Sequence, residues 1–418
     1  MSYRRWATLA VIPVMVIAGC SGKADTPAPG AAGGSTGGST GGSSWSAGQP
    51  TVKVGLISAM TGPFAVLGIS QQNGMQVAVD RINAAGGVGG AKLEIVTRDM
   101  QLDPGKAVGF ANELAGDPSV SFVVGPSITA FYNAAKGTFE SNKKLNCQPA
   151  VAGGTFADTT YGFRMENSAT QDVTRNLEYL QSKGLTKVGL VYEGDDTGKD
   201  YAKLMTDLGP KYGVTLVGFE QSRADDASHV AYVQSLMDKG AQAIWISNSG
   251  SGAKTMAAAE QAKFDGLMIG GSGAQNISFL EAAGDFASGA IFDAPEYQYP
   301  LRDKASWTPG YQAFVTAVEK EFGTNVGPKT GAKSPKGVAV AADCIDAFAA
   351  AANQAKSLDG TALATAFGSL DIPADKTASG CQIKPDKDHE SYPLDCIRLY
   401  KWEKDAKGWF TTDITVTK

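Results

Sequence analysis

The sequence is poor in the side chains that build metal centres and acid–base catalysts. It holds two histidines, His229 and His389, and no C-x-x-C unit among its five cysteines. His389-Glu390 lacks a second histidine at the spacing a zinc helix needs, so no metal site is expected. Two histidines without matching partners offer no Ser/His or Cys/His nucleophile pair. Gly-x-Ser-x-Gly occurs at Gly33–Gly37 and Gly37–Gly41, but in a Gly/Ser-rich stretch where no strand-to-helix turn can present the serine. Gly250-Ser251-Gly252-Ala253-Lys254-Thr255 has the wrong spacer for a phosphate loop. No catalysis and no cofactor are therefore expected. An excess of basic charge is also missing. The whole chain has 37 basic and 42 acidic side chains, which argues against a nucleic-acid partner. Beyond the first twenty residues, no run reaches the ~18 consecutive apolar residues of a membrane-spanning helix.

What is present begins at the N-terminus. Arg4 and Arg5 precede an apolar stretch that closes on Ile17-Ala18-Gly19-Cys20. Residues 6–19 are too short for a bilayer core of roughly 20 apolar residues and suit the apolar region of a signal peptide. The order of basic start, apolar middle, small residues and cysteine resembles a bacterial lipoprotein signal, which implies acylation of Cys20 and a lipid anchor outside the cytoplasmic membrane. Residues 1–20 are read as that signal. Removing Arg4 and Arg5 with it leaves 35 basic against 42 acidic side chains, a net charge of −7. Residues 21–50 are Gly/Ser-rich, cannot bury a core, and are read as a flexible tether spanning roughly 30 Å root-mean-square.

The remaining length suggests two domains. Val52–Ile57 is a β-branched run ending at Thr61-Gly62-Pro63, and Met75, Val79 and Ile82 keep helical spacing until Gly86-Gly87. Strands at 93–96 and 121–124 alternate with helices at 104–116 and 129–142. The alternation restarts after about residue 170, with strands at 187–192, 214–220, 243–247 and 267–269 between helical segments. Such a pattern indicates parallel sheets covered on both faces. Helices at about 307–322 and 336–356 follow, and the last forty residues read as strands that need a sheet already made. The four cysteines after Cys20 make an even number in an oxidising compartment, with three possible connectivities. Cys381 and Cys396 flank a loop between apparent strands and are paired first, which leaves Cys147 with Cys344.

Several motifs in order resemble the substrate-binding proteins of branched-chain amino-acid ABC transporters, the type I periplasmic binding proteins. They are Lys53–Pro63 (KVGLISAMTGP), Ala78–Gly90 (AVDRINAAGGVGG), Asp103–Ala107 (DPGKA), Gly125-Pro126-Ser127 and Gly153-Gly154-Thr155. The resemblance implies an α/β fold of two Rossmann-like lobes joined by a three-stranded hinge. Lobe one would take 51–169 and 300–372, and lobe two 170–299 and 375–418. It also implies capture of a small solute and its delivery to permease subunits, by a monomer. By that resemblance Ser127, Ile128, Thr129, Gly153, Gly154 and Thr155 of lobe one hold a ligand carboxylate. Open α/β sheets bind ligands beyond the carboxyl ends of their strands, which selects the loops after Val124, Val151, Tyr192, Ile246 and Ile269.

Lobe two departs from the family pattern. Ser272 stands where amino-acid binders often carry an acid, and Leu67, Thr197 and Ser249 stand where they carry aromatics. An ammonium in a closed cleft would then lack its charge partner. Asp195, Asp196 and Glu296 are alternative sources of that charge, Phe64 a possible apolar wall, and Ser247, Asn248 and Ser249 a neutral polar lining. A branched-chain amino acid, an amide, a hydroxy or keto acid and an aromatic acid all remain open as ligands. A surface sensor using the same cleft is the alternative function.

Overall fold

The computed structural model describes residues 50–62, 64–194, 196–223, 225–247, 251–275, 277–295, 305, 307–323 and 335–416. Cys20 and the 21–49 part of the tether lie outside the described residues, as do Asp195, Asn248, Ser249 and Glu296.

The first half of the alternation is β1 (Thr51–Ser58), α1 (Ala65–Ala84), β2 (Lys92–Asp99), α2 (Pro104–Gly116), β3 (Val120–Val124), α3 (Thr129–Ser141), β4 (Asn146–Gln148) and β5 (Gly162–Arg164). The chain then crosses to α4 (Ala169–Ser182), β6 (Lys187–Glu193), α5 (Asp196–Leu208), β7 (Thr215–Ser222), α6 (Val230–Asp238), β8 (Ala243–Ser247), α7 (Gly252–Gln261), β9 (Leu267–Ile269), α8 (Ile277–Ala283) and β10 (Ile291–Pro295). It ends with α9 (Pro309–Phe322), α10 (Pro335–Ala355), α11 (Gly360–Gly368), β11 (Ile397–Asp405) and β12 (Gly408–Asp413).

Two sheets result. The first is wholly parallel in the order β2-β1-β3-β4-β5, with Val54 opposite Ile95 and Phe122. The second runs β12-β11-β10-β9-β8-β6-β7 and is parallel except at one edge, where β11 pairs antiparallel with both β10 and β12. The C-terminal hairpin thus completes a sheet built by the preceding segments. Local signals set several helix starts. Asp103 caps α2 with Pro104 in its first turn, and Ser168 with Gln171 forms a capping box at α4.

The first sheet is buried on both faces. Val54, Leu56 and Phe122 pack under α1 and α10, where the Phe122 and Phe348 rings stack at 4.8 Å, and Ile57 and Val123 pack with Leu114 and Phe139 on the opposite face. The second sheet packs Leu190 and Trp245 with α4 and α5 on one side and Val191 and Ile244 with α6 and α7 on the other.

One boundary differs from the sequence reading. Ala378, Cys381, Ile383, Tyr392 and Cys396 belong to the core of the first lobe, whereas the resemblance places 375–418 wholly in the second. The chain passes to the second sheet only at Ile397. The reason is anchorage: Asp343 on α10 accepts hydrogen bonds from the Ala378 amide, the Ser379 hydroxyl and the Tyr392 hydroxyl. Cys147 lies beside Cys344 and Cys381 beside Cys396 at disulfide distance, with Cα separations of 5.9 and 5.6 Å.

Candidate functional site between the lobes

The strand ends of the first sheet face α5 of the second lobe. Gly125 leaves β3 with φ +88°, and a Cβ there would meet the Ile57 carbonyl oxygen at 2.1 Å, so only glycine fits. Its own carbonyl accepts from the Asn146 and Gln148 side-chain amides at 2.6 and 2.8 Å. Ser127 is fully buried, and its hydroxyl donates to Gln71 Oε1 at 2.8 Å, the same oxygen that Ser58 reaches at 2.7 Å. The Ser127 side chain is therefore committed to the packing behind the loop. Ile128 has φ 78° and ψ 130°, a conformation costly for a β-branched residue. It is fixed by its amide donating to the Ala150 carbonyl at 2.9 Å.

Thr129 opens α3. Its hydroxyl accepts from the Gly153 amide at 3.3 Å and lies 2.9 Å from the Thr197 hydroxyl across the cleft. Beside it, the Gly154 amide donates to Asp200 Oδ2 at 2.8 Å. Gly153 permits this approach, since a Cβ there would lie 2.9 Å from Asp200 Oδ2 and 3.2 Å from the Thr197 Cα. Thr129, Gly153, Gly154 and Thr197 thus come together as a contact between lobes. Thr155 does not join them: it is exposed, and its hydroxyl accepts from the Ala157 amide at 3.2 Å, capping a turn. Phe64 is half-buried and packs with the Ile57 core beside Ile128.

In lobe two, Ser272 opens a single 3-10 turn, Ser272–Gln275, after β9 and the pair Gly270-Gly271. Asp196 is exposed and pairs with Lys199 at 3.6 Å. The first crossing, 165–168, is tied to lobe two by a buried polar cluster. The Asn167 amide and the Tyr201 hydroxyl donate to Asp172, and Asn176 reaches Asp293 at 3.2 Å. Burial, with Asp172 and Asp293 nearby, pushes the Tyr201 phenol well above its usual range. Among the described residues no three His, Cys, Asp or Glu side chains could hold a metal ion, and no helix is long and apolar enough to cross a membrane.

Sequence reasoning missed Asp200 and Arg164. Asp200 had a signal, because Thr197 and Asp200 sit at i and i+3 on α5 and must share a face. Arg164 had none at sequence level, since its partners are backbone carbonyls and a glutamate 226 positions away.

A family model described as periplasmic binding protein matches residues 51–407. Leu/Ile/Val-binding protein homolog 8 of Brucella suis is 26% identical over 369 residues, covering 83% of this chain and 87% of the relative. Two solved structures share the fold. One is a branched-chain amino acid transporter substrate-binding protein from Streptococcus pneumoniae in complex with isoleucine. It has TM-score 0.71 and 21% identity, over 87% of this chain and 99% of the other. The second is an ABC-transporter solute-binding protein from Rhodopseudomonas palustris in complex with 4-hydroxybenzoate. It has TM-score 0.73 and 18% identity, over 88% and 97%.

Proposed function

Because this chain belongs to the periplasmic binding protein family, whose model spans residues 51–407, we propose that it is the extracytoplasmic solute-binding component of an ABC importer. In this reading the two lobes close on a small carboxylate-bearing solute and present it to a permease. The family is one of solute-binding proteins rather than enzymes. The observation that carries the reading is the Gly154 amide, which donates to a carboxylate across the cleft, that of Asp200 at 2.8 Å. A backbone donor beside the first turn of α3 suits an anion on electrostatic grounds, and a solute carboxylate would take the place Asp200 holds. Thr129, Gly153 and Gly154 are the proposed lobe-one contacts, while Ser127 and Ile128, whose amides donate to the Ile57 and Ala150 carbonyls at 3.3 and 2.9 Å, hold the loop in place behind them, and Thr197, Ser249 and Ser272 are the proposed lobe-two contacts.

The two ligand-bearing relatives by fold hold a branched-chain amino acid and an aromatic acid, and both classes share the carboxylate. Thermal denaturation of the purified chain with isoleucine, leucine, 4-hydroxybenzoate, amides and small keto acids is the test, since a ligand bound only by the folded state raises the midpoint. A midpoint that stays fixed across the whole panel would refute the carboxylate reading. Mass spectrometry of solute released from the purified chain would then identify what is bound.

The lipid anchor at Cys20 and the Cys147–Cys344 and Cys381–Cys396 disulfides are part of the same proposal, as they suit a receptor held outside the cytoplasm. Palmitate labelling abolished by Cys20→Ala, and non-reducing peptide mapping of the four cysteines, would test them.

A further inference from the structure

The loop that carries the Gly154 donor is gripped from behind by a segment remote in sequence. Arg164, at the end of β5, is 1% exposed. Its Nη2 donates to the Gly153 carbonyl at 3.0 Å and to the Gly154 carbonyl at 2.8 Å. Its Nη1 lies 3.2 Å from Glu390 Oε1, and its guanidinium sits 4.6 Å above the Phe156 ring centroid. Residues 389–391 run beside β5 like an added strand, with the Arg164 amide donating to the His389 carbonyl at 3.0 Å and the Ser391 amide to the Arg164 carbonyl at 2.9 Å. That strip is itself held firmly. Asp386 Oδ1 accepts from the Asp388 and Glu390 amides at 2.9 and 3.0 Å, and the His389 ring stacks on Phe163 at 4.1 Å.

Peptide geometry gives this arrangement a consequence in the cleft. The Gly153 carbonyl and the Gly154 amide belong to one planar, trans peptide unit, in which C=O and N–H point in opposite directions. Drawing the carbonyl toward Arg164 therefore turns the amide away from Arg164, toward Asp200 and the cleft. A cation on the carbonyl oxygen also polarises the unit and strengthens its N–H as a donor.

We propose that Arg164 is a positioning residue that aims and polarises the Gly154 amide for the solute carboxylate, and that Glu390 sets how much of the Arg164 charge the amide feels. The part that concerns the solute depends on the carboxylate reading above; the grip on the Gly154 peptide does not. The groups facing Glu390 are Arg164 on β5, Asp172 on α4, and Asp386 and Asp388 on its own loop. Burial raises its carboxyl to about 7, with the three aspartates raising it and Arg164 opposing. Below that pH the protonated Glu390 leaves the Arg164 charge uncompensated, so the amide becomes the stronger donor. Carboxylate binding then tightens as pH falls, by about fivefold between pH 8 and pH 6.

Glycine-selective ¹⁵N NMR of the full chain tests this without a solute, with the Gly154 resonance assigned by its loss in Gly154→Ala. The amide is expected to shift with a midpoint near pH 7 in the native chain and to be flat in Glu390→Gln, which keeps His389 and the fold. An Asp388→Asn chain retains the transition at lower pH. A flat native titration, or an unchanged one in Glu390→Gln, overturns the proposal. Titrating isoleucine and 4-hydroxybenzoate at pH 6 and pH 8 is the second arm. If neither binds while the amide still titrates with Glu390, the carboxylate reading fails and the Arg164 assignment stands. If either binds with the same affinity at both pH values in the native chain, the role of Glu390 in binding is overturned.

Discussion

The two faces of the cleft are built to different standards. On lobe one the donor loops are held at every turn, by Asn146 and Gln148 on the Gly125 carbonyl, by Gln71 on Ser127, and by Arg164 on the Gly153 and Gly154 carbonyls. Both cysteine pairs also lie in this lobe's core. On lobe two the contact is the first turns of α5, where Thr197 and Asp200 carry the bonds across the cleft. A half that is fixed in advance loses little entropy on binding and supplies affinity. The half that moves onto it is where residue changes can alter which solute is accepted.

The largest expected effect tests whether the lobes are separable in stability. The proposed Cys147–Cys344 disulfide would join β4 to α10 across 197 positions, and replacing both residues by serine should then cost about 2–5 kcal/mol. Calorimetry should show the lobe-one transition lowered and the lobe-two transition in place. If both fall together, the contrast between a stapled and an unstapled half is lost. Next is Gly153→Ala. The added methyl meets Asp200 and Thr197 of the other lobe within 3.2 Å, so closure should weaken by about 1–3 kcal/mol, a roughly fivefold to 150-fold loss of solute affinity. Folding stability should change less, because the Asp200 and Thr197 contacts exist only when the lobes meet and within lobe one only the Thr129 methyl, at 3.2 Å, must give way.

Much of lobe one could be read in the sequence because its constraints are local. Gly125-Pro126 and Gly153-Gly154 announce places where a side chain will not fit, and the β-branched runs at Val52–Ile57 and 121–124 announce buried strands. The alternation of period two and period 3.6 gave the α/β class for the same reason. The grip of Arg164 on the loop was not legible, because its partners are carbonyls that every residue possesses. The 375–396 boundary was missed because the strand-like pattern around Cys396 says nothing about which core receives Tyr392 and Ile383. Ser127 was read as a ligand contact, yet its hydroxyl is spent on Gln71, which lies 56 positions away.

A third prediction concerns pH. Asp343, fully buried on α10 of lobe one, has its carboxyl pushed by burial from 3.8 to about 7, against the pull of Ser379 and Tyr392. A carboxyl whose folded value exceeds its unfolded one contributes stability that is complete below the unfolded value and is lost as pH rises through the folded one. Lobe one should therefore lose stability between about pH 4 and pH 7, by on the order of a few kcal/mol. Asp343→Asn should remove its share of that slope in the lobe-one transition whatever it does to the absolute midpoint, leaving the share carried by Glu390, whose carboxyl burial also raises to about 7. A slope unchanged by the substitution would show that another group carries it.

The smallest effect separates the two faces most finely. Thr129 and Thr197 share one hydrogen bond at 2.9 Å, but the Thr129 hydroxyl also accepts from the Gly153 amide at 3.3 Å. Thr197→Val removes only the bond between lobes, about 1 kcal/mol, whereas Thr129→Val also leaves a buried amide without its acceptor and should cost about twice that. Calorimetric titration of whichever solute raises the midpoint would read the difference as roughly fivefold against thirtyfold in affinity. Equal losses would mean that Thr129 acts in the cleft only through Thr197, and that lobe one is no better prepared for the solute than lobe two.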